Sequence, residues 1–337
     1  MNSDTVLSEY MGLDRAIAEL MVSYHELNSS VIEELFEEPT PLEFMRYVAL
    51  NRPFVIRKGA DEWEARRKWD ADYLIERMGE DKVKVAWTRD GDADAVVWDD
   101  ATSQMIFRKP AYQNESFTSC LRRIQHPDLQ GPGSNVCYLQ GQNDCLRDEY
   151  EPLAHDVPPS IPFARIALQC KPDAINFWLG NSRSVTSLHK DNYENIYVQI
   201  LGRKHFVLLP PVDVAAVAET TVPAASYRWE AIKAGTDAIL TYGLDSPAEL
   251  VPFPTWDPDL PNKRATKFSK LAQPMRVTLG EGDMLYLPAQ WFHKVSQTCD
   301  IDNLCCAVNY WYDMEYSGTF LPAMSFVRSA AELATKR

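Results

Sequence analysis

No C-x-x-C pair occurs in this 337-residue chain, and its seven cysteines, at positions 120, 137, 145, 170, 299, 305 and 306, form an odd set. That argues against a zinc knuckle or a disulfide framework and points to thiols kept in a reducing compartment. No apolar stretch approaches the ~20 residues that span a bilayer. The opening Met1-Asn2-Ser3-Asp4-Thr5 has neither a basic n-region nor an apolar h-region. We therefore expect a cytoplasmic protein, with the nucleus as a second location, and no membrane partner. Positive charge is also scarce: 34 Lys and Arg face 48 Asp and Glu, a net charge of −14. This disfavours a phosphate-binding surface, and no direct nucleic-acid partner is expected. Acidity by itself serves solubility, but it is compatible with a basic protein or peptide as partner. Internal repeats, heptads and low-complexity tracts are absent.

What is present reads as an ordinary globular composition, 45% hydrophobic and 24% charged. The first hundred residues mix α and β. Apolar residues at helical spacing over 6–27 predict a helix. Ser29 or Ser30 is positioned to cap a second short helix through Phe36. Thr40-Pro41-Leu42-Glu43 is an N-terminal capping signal for a helix through Leu50. Pro53–Arg57 and Val83–Trp87 read as strands, and Asp70 as the cap of a helix ending near Gly79. From residue 130 the texture changes to short β-rich runs divided by Pro and Gly. Val136–Gln140, Ala174–Leu179, Glu194–Leu201, His205–Leu209, Met275–Thr278, Asp283–Pro288 and Cys305–Tyr312 are strand candidates, a pattern that suggests a sandwich or barrel. Residues 212–273 are expected to hold a short helix, Val212–Glu219, and then an irregular insertion over the barrel mouth. Ala323–Lys336 reads as a final helix.

The chemistry gathers around Thr186-Ser187-Leu188-His189-Lys190-Asp191. His189 and Asp191 are two apart, so an extended segment turns both to one face, where they can share an ion. Two imidazoles and a carboxylate on one face leave the opposite side open, which suits redox-active Fe(II). Alone the motif is weak, since six His and 48 acids in 337 positions give about one His-x-acid match by chance. Its companions strengthen it. Lys204 follows Gly202 and precedes His205-Phe206-Val207-Leu208-Leu209; if it is desolvated there, it needs an anion. Solvent exposure on a hairpin is the plain alternative. Thr186 offers a hydroxyl near His189. His293 follows Trp291-Phe292, after a strand launched from Gly282-Asp283, and so points to an apolar interior. A core histidine bonded to a backbone carbonyl is its ordinary reading. Asn309, in Ala307-Val308-Asn309-Tyr310-Trp311, needs buried partners.

Asn176-Phe177-Trp178-Leu179-Gly180, the Thr186–Asp191 run, Tyr193-Glu194-Asn195, Gly202–Phe206, Pro210-Pro211, Gly282–His293 and Ala307–Tyr316 together resemble the Jumonji-C oxygenases. Within them the chain is most similar to the small lysyl-hydroxylase branch. The match spans nearly the whole chain, is tightest over 174–211 and 280–316, and is loose over 212–273. It implies a mainly β fold: a double-stranded β-helix (jelly-roll, cupin-like) core with an N-terminal α/β extension over 1–129. The catalytic domain would cover 130–316, with the insertion at 212–273, and a helical segment would close the chain over 317–337. Fe(II) would lie on His189, Asp191 and His293. The cosubstrate 2-oxoglutarate would meet Thr186, Lys204, Asn195, Asn309 and the Tyr138 hydroxyl, with Trp178 lining the pocket.

The implied reaction consumes O₂ and 2-oxoglutarate, releases succinate and CO₂, and hydroxylates a protein. The metal ligands are the only catalytic residues expected. The implied substrate is a lysyl side chain, and the implied partners are GTPases of the developmentally regulated GTP-binding type. Glu194 is the candidate carboxylate for the incoming ammonium. A homodimer through the last helix is a further implication. Demethylation of N-methyl-lysine or arginine is the alternative reaction, and a non-catalytic metal-binding or scaffold protein the third reading. No Ser-His-Asp or nucleophilic Cys arrangement stands out for hydrolysis.

Overall fold

The computed structural model describes residues 7–127, 135–231 and 238–335. In chain order the first part holds α1 (Leu13–Leu27), β1 (Glu33–Leu35), α2 (Pro41–Leu50), β2 (Phe54–Ile56), α3 (Glu64–Lys68) and α4 (Ala71–Met78). Next come β3 (Lys82–Thr88), β4 (Asp92–Ala93), β5 (Ala95–Asp99), β6 (Gln104–Lys109), β7 (Ala111–Ser116) and α5 (Phe117–Gln125). After β8 (Val136–Gln140), the short helices α6 (Glu151–Ala154) and α7 (Pro162–Leu168) lead to β9 (Ala174–Gly180). The site strands β10 (Val185–His189), β11 (Tyr193–Leu201) and β12 (Arg203–Leu209) follow. The remainder is β13 (Thr220–Ala231), β14 (Ala238–Leu244), β15 (Leu250–Phe253), β16 (Met275–Leu279), β17 (Met284–Leu287), β18 (Phe292–Thr298), β19 (Cys305–Asp313) and α8 (Phe320–Thr335).

Two sheets face each other as a jelly roll. The larger runs β1-β2-β17-β11-β19-β9-β8-β3-β7 and the smaller β16-β12-β18-β10-β4. Val55, Tyr138, Trp178, Tyr197 and Leu285 of the first meet Phe206, Leu208, Val277 and Val295 of the second in one apolar core. The outer face of the large sheet is covered in turn. Phe177, Val198, Tyr286 and Val308 pack beneath Phe44, Trp69 and Leu74 from the N-terminal helices. Buried on both faces, β9, β11 and β19 read as nearly continuous apolar runs instead of alternating ones.

Local signals explain the helices that the sequence predicts. Thr40 and Glu43 close a reciprocal capping box with Pro41 in the first turn, and the Asp70 carboxylate accepts the amide of Tyr73. Two expectations are corrected. Residues 33–35 form strand β1, parallel to β2, instead of a helix capped by Ser29 or Ser30. The Ser29 hydroxyl accepts the Val31 amide in a turn, and the backbone beyond finds its partners on the exposed edge of β2. The described residues of 212–273 are not an irregular cover. Pro211–Ala215 is a 3₁₀ turn, and β13 pairs with β14, with β15 and, in parallel, with β6 to build a third sheet.

Candidate metal and cosubstrate site

His189 ends β10 and His293 lies near the start of β18, directly opposite it in an antiparallel pair. Opposed residues project to the same face, so both rings enter the space between the sheets. Thr186 is opposite Val295, and the register shifts between residues 186 and 189. Residues three apart on a regular strand would face opposite ways. This bulge brings Thr186 and His189 to the same inner face.

Each ring is oriented by its own backbone. His189 Nδ1 lies 2.8 Å from the Ser187 carbonyl and His293 Nδ1 3.1 Å from that of Trp291. Carbonyl oxygens only accept, so both Nδ1 atoms carry the proton and both Nε2 lone pairs are free. These lone pairs converge on Asp191, whose Oδ2 is 3.7 Å from His189 Nε2 and 3.6 Å from His293 Nε2. One donor atom from each of the three lies within 4.8 Å of the others. Adjacent ligands held at ~2.1 Å from one ion are ~3 Å apart, and the three donor atoms are grouped on that scale. Burial, reinforced by the neighbouring His189, pushes the His293 pKa down to about 4, which keeps the imidazole neutral and available as a ligand. The Asp191 carbonyl accepts the Gln290 amide at 2.8 Å, tying the short loop after β10 to the turn before β18.

Lys204, on β12, is 2% exposed. Its Nζ donates to the Tyr138 hydroxyl at 2.9 Å and to Gln297 Oε1 at 2.6 Å, and no carboxylate lies within ion-pair distance of it among the described residues. It is a desolvated cation with neutral partners only. Gly180 makes room for this pocket, since a Cβ there would fall 2.5 Å from the Tyr138 ring and 2.9 Å from Gln297 Nε2. Trp178 Nε1 donates to Asn309 Oδ1 at 2.7 Å, and Asn309 Nδ2 to Asn195 Oδ1 at 3.0 Å, so these three form one buried chain.

Glu194 is the candidate that does not join. It is buried on the other side of β11, where its carboxylate accepts the Tyr286 hydroxyl at 2.6 Å and the Ala289 amide at 3.3 Å. Neighbours on a strand face opposite ways, so a Glu194 beside an inward Asn195 turns away from the site. Gln297 was missed by sequence reasoning. It lies two and four residues beyond Val295 and His293 on β18, and that alternation was the signal for it.

Two facing sheets enclosing a His-Asp-His face define the class: a jelly-roll protein with a three-residue group of the kind that holds a metal ion. Residues 39–318 match the cupin-like domain family. The chain is 38% identical to "Lysine-specific demethylase JMJ32" of Arabidopsis thaliana over 85% of its length and 82% of that protein. It is 37% identical to "Bifunctional peptidase and (3S)-lysyl hydroxylase JMJD7" of Homo sapiens, over 93% and 92% of the two chains. A third relative, "JmjC domain-containing protein E" of Dictyostelium discoideum, is 34% identical over 84% of each. The chain belongs to the cupin-like JmjC family and is a 2-oxoglutarate-dependent oxygenase.

Proposed function

We propose that the chain is an Fe(II)- and 2-oxoglutarate-dependent protein hydroxylase whose target is a lysyl side chain. One observation carries this reading: an open His189-Asp191-His293 face shares the barrel with a buried Lys204 ammonium that lacks a counter-ion among the described residues. The N,N,O donor set suits Fe(II). A buried charge without a counter-charge costs several kcal/mol, a cost that a bound carboxylate offsets. A keto acid with a second carboxylate at its far end supplies both requirements. Held together, the ion and the keto acid would supply oxidation by O₂, giving succinate, CO₂ and one oxygen atom for a substrate C–H bond.

The protein's own residues bind, orient and exclude water. His189, Asp191 and His293 would hold the ion. Lys204, with the Tyr138 hydroxyl, would receive the distal carboxylate. Thr186 shares the inner face, and the Trp178-Asn309-Asn195 chain forms a polar wall. Lysine as the target is favoured by the name of the human relative and by an acidic chain that suits a basic partner. The family resemblance nominates GTPases of the developmentally regulated GTP-binding type as first substrates to try. Seven free cysteines fit a reducing compartment, the cytosol first and the nucleus second. Demethylation is the second reading, supported by the name of the Arabidopsis relative.

Incubation of a candidate protein with enzyme, Fe(II), 2-oxoglutarate and O₂, followed by mass spectrometry, separates these readings. One added oxygen on lysine is expected. Loss of methyl groups from methyl-lysine would establish the demethylase instead. No succinate with any substrate would leave only a scaffold.

A further inference from the structure

Two short loops cross between the sheets beside the His-Asp-His face. Residues 190–192 carry the chain from β10 to β11, and residues 288–291 carry it from β17 to β18. β10 pairs with β18 and β11 with β17, so the loops run side by side. The first loop holds Asp191, and the second delivers His293 two residues past its end. The spacing of the loops therefore sets the spacing of these two ligands.

Gln290 spans the gap. Its backbone N–H donates to the Asp191 carbonyl at 2.8 Å, and its side-chain Nε2 donates to Asn192 Oδ1. Nε2 also lies 3.8 Å from Met314 Sδ, a weak acceptor that fixes which way the amide faces. Met314 donates its own backbone N–H to the Asn192 carbonyl at 3.2 Å. Gln290 is buried although it stands in a loop, and its φ of 69° lies in the left-handed region. Glycine takes that conformation without strain, whereas a glutamine is kept there only by surroundings that over-determine it. The turn itself has no need of a long polar side chain, so the amide serves the neighbouring loop. Other bonds hold the turn from outside. Glu194 accepts the Ala289 amide at 3.3 Å, and Asn51 accepts Trp291 Nε1 at 2.8 Å and donates to the Ala289 carbonyl at 3.1 Å. These fix the turn against β11 and the end of α2, and Gln290 adds the link to the Asp191 loop.

We propose that Gln290 is a positioning residue: its amide, bonded to Asn192, holds the Asp191 loop at the spacing from His293 that an ion requires, and so sets the metal affinity of the site. This rests on reading His189, Asp191 and His293 as the metal face. The backbone bond to Asp191 survives a side-chain substitution, so the bond to Asn192 is the one that a variant removes. Groups that orient a ligand from behind govern metal affinity by ~10–100-fold.

The test uses the full chain and the metal alone. Mn(II) titration gives the Kd, Co(II) absorption bands report the ligand geometry, and urea unfolding without metal reports the fold. Wild type should bind one Mn(II), and His189→Ala should lose most of that binding. A His189→Ala protein that binds Mn(II) as tightly as the wild type overturns the metal reading itself. Gln290→Met keeps the length of the side chain and the backbone bond but removes the donor. Its Mn(II) Kd should rise about tenfold, with shifted or weakened Co(II) bands. A folded Gln290→Met protein with the wild-type Kd and Co(II) spectrum overturns the proposal, whatever it loses in urea, because the amide then supports only the fold. Should that variant fail to fold, Asn192→Ala takes its place, since Asn192 is exposed and its loss removes the acceptor. A smaller rise in Kd is expected there, and an unchanged Kd again counts against the proposal.

Discussion

Asp191 receives both Nε2 atoms at nearly equal distance, 3.7 and 3.6 Å, and each ring is locked by a backbone carbonyl behind it. Replacing His189 or Asp191 with Ala should abolish turnover yet leave the urea midpoint close to that of the wild type, since neither side chain fills the core. His293 is different because it is buried. Its folded pKa of about 4 lies below the ordinary value of 6.5, so the unfolded chain binds the proton first. Its contribution is complete above pH 6.5 and fades as pH falls toward 4. The metal-free protein should lose roughly 3 kcal/mol from this group over that window. His293→Gln should flatten that part of the stability–pH profile, and an unchanged slope would reject the assignment. At this scale the triad was legible through its context, because Trp291-Phe292 marked His293 as inward, whereas Lys204 read equally as a solvent-facing hairpin charge. Glu194 was misread by one strand position.

The elements decide what single residues could not. Gly202 carries a φ of 68° at the turn between β11 and β12, where a Cβ would stand 2.7 Å from the Thr298 carbonyl oxygen and 2.8 Å from that of Leu304. Both obstacles are backbone, so neither swings aside. Gly202→Ala should cost about 1–3 kcal/mol by urea unfolding. It should also weaken 2-oxoglutarate binding, because Lys204 lies two residues on. A variant with wild-type stability and affinity would show that the turn tolerates the methyl group. Apolar runs bounded by Gly or Pro made the core strands readable: Val136–Gln140 has its predicted bounds, and β9, β11 and β19 each differ from theirs by one residue at one end. The third sheet was hidden for a physical reason. Its long strand, β13, contains Pro223, is only partly buried, and takes β6, more than a hundred residues earlier, as a parallel neighbour. No local period reports such a pairing. The bulge that turns Thr186 inward is equally silent in the sequence, because it exists only against β18.

Across the whole molecule, two sheets and a helical cover bury Lys204 at a place where an apolar side chain would pack without electrostatic cost. Fold stability and cosubstrate binding therefore pull in opposite directions at this position. Replacing a buried charge with an apolar residue of similar volume is often neutral or stabilising by ~1–4 kcal/mol. Lys204→Met should thus leave the ligand-free protein at least as stable as the wild type. Linkage then separates the two roles. With Mn(II) in place of iron and 2-oxoglutarate at a hundred times its Kd, the wild type should gain ~2.7 kcal/mol from the keto acid, whereas the variant keeps the gain from metal and loses most of the rest. Urea unfolding under four conditions (free, metal, keto acid, both) measures each contribution. If 2-oxoglutarate stabilises Lys204→Met as much as the wild type, the buried ammonium has another purpose. If the ligand-free variant is instead much weaker, the Tyr138 and Gln297 contacts already balance the charge and no anion is needed there.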